Sequence, residues 1–298
     1  MRINTADNAA QLEKVRHLEA RFAAQWGGMG AVAEAFALAY AEAGDTDTAI
    51  AWYERAAQSN DGSASMKAQE QLGNLLAQRG WARARLAEVG SSALAQARAD
   101  ITAAVRQLQA LAGLQPTLER LSLCGSAWKR LAMLEFKLGD DQAEAGALQM
   151  AIDSYSRALA LAGDETSGCY PALNAMALAL VLKLVQPQTA GGSAQTRALV
   201  HQRLVQQTQT QPDFRSHAGL VEMEVYDAVA AATLAPQRQQ IQARYADLHD
   251  RVNALSAWGL VADTAALVLL PYARHADAAE AAAARGLLAG LEAYARGN

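Results

Sequence analysis

The stretch that decides the fold is AEAFALAYAEAGDTDTAIAWYERA, residues Ala33–Ala56. Its first half places Ala33, Phe36, Ala37 and Tyr40 three and four residues apart, the spacing of one helix face. Gly44 interrupts the run because glycine adopts the left-handed backbone that ends a helix. A second run then carries Ala49, Tyr53 and Ala56 at similar spacing. We predict two antiparallel helices joined at Gly44.

The same order of residues recurs twice, with less regularity. Leu72, Gly73 and Leu76 take the first-helix places of a second copy, and Gly80 matches the break at Gly44. A third copy begins near Trp128 and has about seven extra residues before its second helix, within 140–149. The recurrence resembles the tetratricopeptide repeat, a helical hairpin with a period of about 34 residues. The predicted structural positions are Phe36, Ala37, Tyr40, Gly44, Ala49, Tyr53, Gly73, Gly80, Trp128, Ala132, Gly139, Ala151 and Tyr155.

Composition predicts an all-α protein. Hydrophobic residues make up 52% of the chain and aromatic residues 6%, so alanine, the best helix former, supplies much of the apolar content. Only six prolines interrupt 298 residues. Together with the recurring hairpins, this predicts a superhelical solenoid of roughly twelve to fourteen stacked helices.

Charge and cysteine content exclude several classes of protein. The net charge of −4 is spread along the chain without a basic block, which argues against binding nucleic acid or a membrane surface. The longest apolar stretches, 175–185 and 259–270, are too short to span a bilayer. Cys124 and Cys169 lie far apart in helical patterns, which favours reduced thiols and a cytoplasmic location over a disulfide framework.

The sequence also suggests two regions. Residues 1–114 hold the first tetratricopeptide-like repeats, and residues 115–298 form a second helical repeat region. The clearest loop is PQTAGGS, residues 187–193, which is rich in proline, glycine and serine. We predict a hinge there.

Three motifs give the second region a more particular resemblance. They are LCGSAWKRLA at 123–132, AIDSY at 151–155 and YPALNA at 170–175. In this order they resemble the TRAFs-binding-like region of bacterial tetratricopeptide proteins, over about residues 115–275. Such regions often accompany caspase-like or CHAT-type proteases, so the resemblance implies a regulatory or scaffold role beside an effector.

The same motifs contain the candidate partner-binding residues Lys129, Arg130, Tyr170 and Asn174. The two cations could face a groove and hold the carboxylates of a partner peptide. The alternative is structural, with Asn174 bonding to a neighbouring hairpin. The sequence alone leaves both interpretations open and favours the structural one.

Catalytic and metal chemistry finds little support in the sequence. Cys124 lies at helical spacing from Trp128, as a packed residue does, and the five histidines are dispersed. Glu222, Glu224 and Asp227 cluster on one predicted helix, where a solvated or arginine-paired face is a better interpretation than an acid–base pair. We therefore predict no enzyme activity, metal or cofactor.

Basic and aromatic residues alternate at Arg79, Trp81, Arg83 and Arg85, a pattern that a nucleic-acid binder could use. Alternate residues scatter around a helix, however, so packing of Trp81 is the preferred interpretation.

Two functional hypotheses remain. The first is a scaffold that docks another protein, with self-association possible. The second is a sensor whose helices enclose a small ligand or nucleotide and change pitch when it binds.

Overall fold

The computed structural model describes residues 5–162, 168–189, 194–252 and 255–297, with the backbone alone for residues 5–8 and 256. This part of the chain contains thirteen α-helices and no β-strand, which confirms the predicted all-α solenoid class. The chain divides into two compact units. We call residues 3–138 the N-terminal unit and residues 139–298 the C-terminal unit.

Six helices form the N-terminal unit, and each packs against the next along the chain. An additional contact joins the fourth and the sixth. Short connections between consecutive helices give antiparallel hairpins. The helices are α1 (Thr5–Trp26), α2 (Gly30–Glu42), α3 (Thr46–Gln58), α4 (Met66–Leu86), α5 (Ser92–Leu114) and α6 (Leu118–Leu138).

Seven helices form the C-terminal unit, and their contacts are less sequential. Besides pairs adjacent in the chain, the eighth helix packs against the tenth and the twelfth, and the eleventh against the thirteenth. The helices are α7 (Asp141–Ala162), α8 (Cys169–Val185), α9 (Ala194–Thr210), α10 (Phe214–Ala230), α11 (Leu234–Arg251), α12 (Leu255–His275) and α13 (Ala278–Arg296).

The first hairpin consists of α2 and α3. Gly44 joins them with φ +85°, and Asp45 caps α3 by accepting a hydrogen bond from the Thr48 amide at 3.1 Å. The side chains of this hairpin that line its core are buried: Ala33, Phe36, Ala37, Tyr40, Ala49, Tyr53 and Ala56.

The second hairpin departs from the predicted repeat at Gly80. We expected Gly80 to end a helix as Gly44 does, but α4 continues through it to Leu86. A Cβ on Gly80 would lie 2.6 Å from Cγ1 of Ile101, and one on Gly73 would lie 2.8 Å from Cγ of Leu108. Both glycines therefore allow the close approach of α4 to α5. The break comes after Leu86 instead, so both helices are longer than those of the first hairpin.

The third repeat copy falls on α6 and α7, which belong to different units. Ala132, Ala151 and Tyr155 are buried, whereas Trp128 is half-buried. Gly139 has φ +75° between the two helices. Since α7 begins at Asp141, the extra residues of this copy lie inside α7 and lengthen it to 22 residues.

The proposed hinge is described in part. Residues 186–189 form a turn after α8, in which the Thr189 amide donates to the Gln186 carbonyl at 3.0 Å. Residues 190–193 lie outside the described residues. The hinge and the region boundary at 114/115 both remain predictions.

Candidate interaction surfaces

Two of the four candidate partner-binding residues are buried on α6. Lys129 and Arg130 each expose only 6% of their surface. Nη1 of Arg130 donates to Oγ of Ser126 at 2.5 Å and to its carbonyl oxygen at 3.2 Å, one turn earlier on the same helix. Part of the hydrogen-bonding capacity of Arg130 is therefore used within α6.

The other two candidates lie at the start of α8, in the C-terminal unit. Tyr170 is 42% exposed, and its ring meets Tyr155 edge to face at 6.1 Å while the Arg215 guanidinium lies 5.7 Å from its centre. Asn174 is buried and donates from Nδ2 to the Tyr170 carbonyl at 3.0 Å. Tyr170 offers an accessible ring, whereas Asn174 contributes to its own helix.

A concave surface that the sequence analysis missed lies on the exposed side of α5. It encloses about 600 Å³ and is also bordered by the loop at 90–91 and by Leu138 of α6. We call it the α5 surface. Its floor consists of small side chains and its only charged residues are arginines; the residues on α5 that matter here are Ala95, Arg98, Ala99, Thr102, Ala103 and Arg106.

The α5 surface carries two cationic side chains, Arg98 and Arg106. Nε of Arg98 donates to Oε1 of the buried Glu135 at 2.8 Å, and the Arg98 side chain remains 48% exposed. Arg106 is exposed and forms no ion pair within the part of the chain that the structure describes. Ser91 does not cap α5 with its side chain, because its hydroxyl donates to the Glu88 carbonyl at 2.7 Å. The amides of the first turn of α5 therefore give partial positive charge only to the rim of the surface near Ser91.

Two exposed apolar residues come just before the residues of this surface in the sequence. Leu86, the last residue of α4, is 87% exposed, and Val89 in the following loop is 69% exposed. Exposed apolar residues beside a concave surface are a common feature of interaction sites. A helical signal for the surface was present in the sequence, since Ala95, Ala99 and Ala103 recur every four residues between Ala95 and Arg106. Alanine-rich spacing of this kind also occurs on solvated helix faces and could not identify it.

The residues considered for catalysis take part in packing and ion pairing. Cys124 is buried. Asp227 pairs with Arg197, Glu224 pairs with Arg244, and the Tyr226 hydroxyl donates to Glu222 at 3.4 Å. These contacts agree with an arginine-paired face. His249, the one histidine with an adjacent acid, stacks its ring on Tyr294 at 4.2 Å.

The alternating basic and aromatic segment is also used internally. Trp81 is 5% exposed and belongs to the core. Arg79 and Arg83 form ion pairs with Asp47 and Asp100 at 3.2–3.5 Å. The preferred interpretation of this segment, packing of Trp81, is confirmed.

One buried carboxylate of the C-terminal unit has unusual electrostatics. Glu144 exposes 2% of its surface, and its Oε2 atom has no hydrogen-bond partner among the described residues. Burial raises the pKa of Glu144 to about 7, opposed by the charge of Arg274 and reinforced by that of Asp141. Burial likewise raises the pKa of the Cys169 thiol, which keeps it protonated.

The described residues contain no group of three or more histidine, cysteine, aspartate or glutamate side chains placed to hold a metal ion. None of their helices is both long enough and apolar enough to cross a membrane.

Comparison with known families supports the repeat architecture. Residues 45–179 match the family model described as Tetratricopeptide Repeats-Sensor. The match runs from the N-cap of α3 into α8 and covers somewhat less than half of the chain. No curated protein matches the chain. The match and the helical hairpins support a tetratricopeptide-repeat protein with a protein-interaction or sensor role.

Proposed function

We propose that this protein is a non-catalytic scaffold or regulatory subunit that docks a partner protein in the cytoplasm. The observation that carries the proposal is the α5 surface. It is concave, the exposed Val89 adjoins its lining residue Gly90, and Arg98 and Arg106 lie on the exposed side of its helix. Rigid helices are well suited to hold a binding surface in one geometry.

We further propose that the partner is a protease-type or other effector of a bacterial conflict system. The support for this step is the order of the motifs at 123–132, 151–155 and 170–175, which resembles regions that accompany such effectors. The chain would then position or restrain the effector, which supplies the chemistry.

The test is affinity purification of the tagged full-length chain from its own host, followed by mass spectrometry of chemical cross-links. The expected result is one stoichiometric partner protein. Light scattering of the purified chain supplies the control for self-association. A chain that carries no other protein at any salt concentration would contradict the scaffold proposal.

A second candidate function is a sensor of a small ligand or nucleotide. The description of the matched family supports it, and a concavity of about 600 Å³ falls within the range of small-molecule sites. A thermal-shift screen with nucleotides separates the two functions. A nucleotide that raises the melting temperature supports the sensor, whereas no shift with any of them favours the scaffold.

A further inference from the structure

We propose that the α5 surface binds an acidic, extended segment of the partner protein, with one carboxylate on Arg98 and a second on Arg106. This inference rests on the proposed scaffold function and names its binding surface and the chemistry of its partner. It does not involve Lys129 and Arg130, the cations singled out by the sequence, because both are buried.

Charge complementarity is the first argument. The lining of the α5 surface contains two arginines and no acidic side chain, although the chain as a whole carries a net charge of −4. Arginine presents several N–H donors in a plane that matches a carboxylate. Glu135 fixes Arg98 in place from below, so little side-chain entropy is lost when a ligand binds it.

Geometry gives the spacing of the ligand's carboxylates. Arg98 and Arg106 are eight residues apart on one helix, which corresponds to about 12 Å along its axis. In an extended chain, residues four apart point to the same side and lie about 13 Å apart. The surface therefore fits acidic residues at positions i and i+4 of an extended segment.

Shape favours a peptide over a nucleic acid. Ala95, Ala99 and Ala103 leave a floor without projecting side chains, over which a peptide backbone can lie closely. Val89, exposed next to the lining residue Gly90, offers an apolar contact to residues beyond the acidic ones. Single-stranded nucleic acid is bound through stacked aromatic rings and many cations, and the lining of this surface has no aromatic residue and only two cations.

The experiment is selection of a displayed library of random 12-residue peptides on the full-length wild-type chain, with Arg106→Glu as the counter-screen. We expect enrichment of peptides with aspartate or glutamate four residues apart. Their affinity, measured by fluorescence anisotropy, should fall about tenfold or more on Arg106→Glu, because that change places like charges together. Arg106 is exposed and without an ion pair in the described chain, so the variant should fold normally.

Two further variants make the result specific. Arg285→Glu, at an exposed position of α13, makes the same charge change elsewhere and should leave peptide affinity within about twofold. Ala99→Trp fills the floor and should abolish binding without altering charge. Three results would each overturn the inference. They are selection of peptides without acidic residues, no enrichment over the counter-screen, and binding of an oligonucleotide in place of peptides.

The host partner separates this inference from the proposed function. A partner held by the wild type and lost on Arg106→Glu supports both. A partner held equally by the two chains overturns the acidic-segment inference and leaves the scaffold function standing. Absence of any protein partner contradicts both.

Discussion

The two units of this chain are stabilised in different ways. In the N-terminal unit every helix packs on its successor, and the longest additional step is from α4 to α6. In the C-terminal unit α8 reaches α12, four helices further along. A linear stack derives its stability from neighbouring pairs, whereas a closed arrangement makes distant helices depend on one another.

One buried side chain, Glu280, joins three helices of the C-terminal unit. Glu280 of α13 accepts hydrogen bonds from the amides of Leu234 and Ala235, at the start of α11, at 2.8 and 3.0 Å. Its Oε2 atom also accepts from the Tyr272 hydroxyl of α12 at 2.8 Å. One carboxylate therefore joins three helices and satisfies a helix N-terminus that carries partial positive charge.

The N-terminal unit depends instead on small residues along one seam. Gly73, Ala77, Gly80 and Ala84 follow one face of α4 and are all buried. Their spacing of three and four residues allows α5 to approach along its length. Replacing one of these small residues by a larger one should therefore destabilise one helix pair, not the whole unit.

The largest expected effect is that of Glu280→Ala. The variant leaves two amides and a buried hydroxyl without their acceptor, which should cost about 3–4 kcal/mol in unfolding free energy. Peptide-resolved hydrogen exchange should show faster exchange in α11, α12 and α13 together. Glu280→Gln, which keeps one acceptor oxygen, is the matched control and should lose about half as much. Faster exchange limited to the first turn of α11 would contradict closure.

Next in size is Gly80→Ala. The added Cβ would lie 2.6 Å from Ile101 Cγ1 and 3.1 Å from the Ala97 carbonyl oxygen, so α4 and α5 must separate. We expect a loss of about 2 kcal/mol despite the better helix propensity of alanine. Hydrogen exchange should accelerate in α4 and α5 and much less in α2.

Gly113→Ala is the control for this substitution. A Cβ at Gly113, on the partner helix α5, would meet nothing within 4 Å, so the variant should be as stable as the wild type or slightly more so. Equal stability of the Gly80 and Gly113 variants would show that close helix approach does not hold this hairpin.

The contrast between the units also explains how far the sequence could predict the structure. Local sequence patterns were enough to predict the first hairpin, because the Gly44 turn and the buried faces of α2 and α3 all lie within 24 residues of the chain. Gly80 misled the prediction, since a glycine can end a helix or allow a neighbour to approach, and only the position of Ile101 distinguishes the two.

Local sequence patterns could not predict contacts between residues that are far apart in the chain. Nothing near Glu280 indicates that it caps a helix more than forty residues earlier in the chain. Likewise, the sequence left partner binding by Lys129 and Arg130 open because charged residues are usually exposed, and their burial is a property of the packed helix. The α5 surface depends on which face of an alanine-rich helix stays uncovered, which is again a tertiary outcome.

The buried carboxylates of the two units differ in their partners. Glu70 and Glu135 of the N-terminal unit have arginine partners, Arg120 and Arg98, at 2.7 and 2.8 Å. Glu144 of the C-terminal unit has a pKa raised from 4.5 to about 7 by burial. Its contribution to stability is thus complete below pH 4.5 and is lost as the pH rises through 7, where the folded state must hold a buried charge.

Glu144→Gln should remove this dependence. We expect the variant to exceed the wild type by about 3 kcal/mol at pH 8 and to be nearly equal at pH 4.5. Urea unfolding at several pH values between these limits measures the slope. Asp153→Asn, an exposed change on the same helix, should keep the wild-type slope. A Gln variant that keeps that slope would place the titrating group elsewhere.

The smallest effect tests whether surface ion pairs contribute to the closed arrangement. Helix α9 buries only Val200, Arg203 and Leu204, yet it is linked to α10 by the pair of Arg197 with Asp227. Both partners are more than 40% exposed, so water screens their attraction, and Arg197→Met should cost only about 0.5 kcal/mol, less at 0.5 M salt. The same change at Arg83, whose ion pairs link α4 to α3 and α5, provides the N-terminal comparison. Arg197→Met could instead accelerate hydrogen exchange throughout α9 at low and high salt alike. That result would show that the packing of the Arg197 side chain, and not its charge, holds this sparsely buried helix against the rest of the unit.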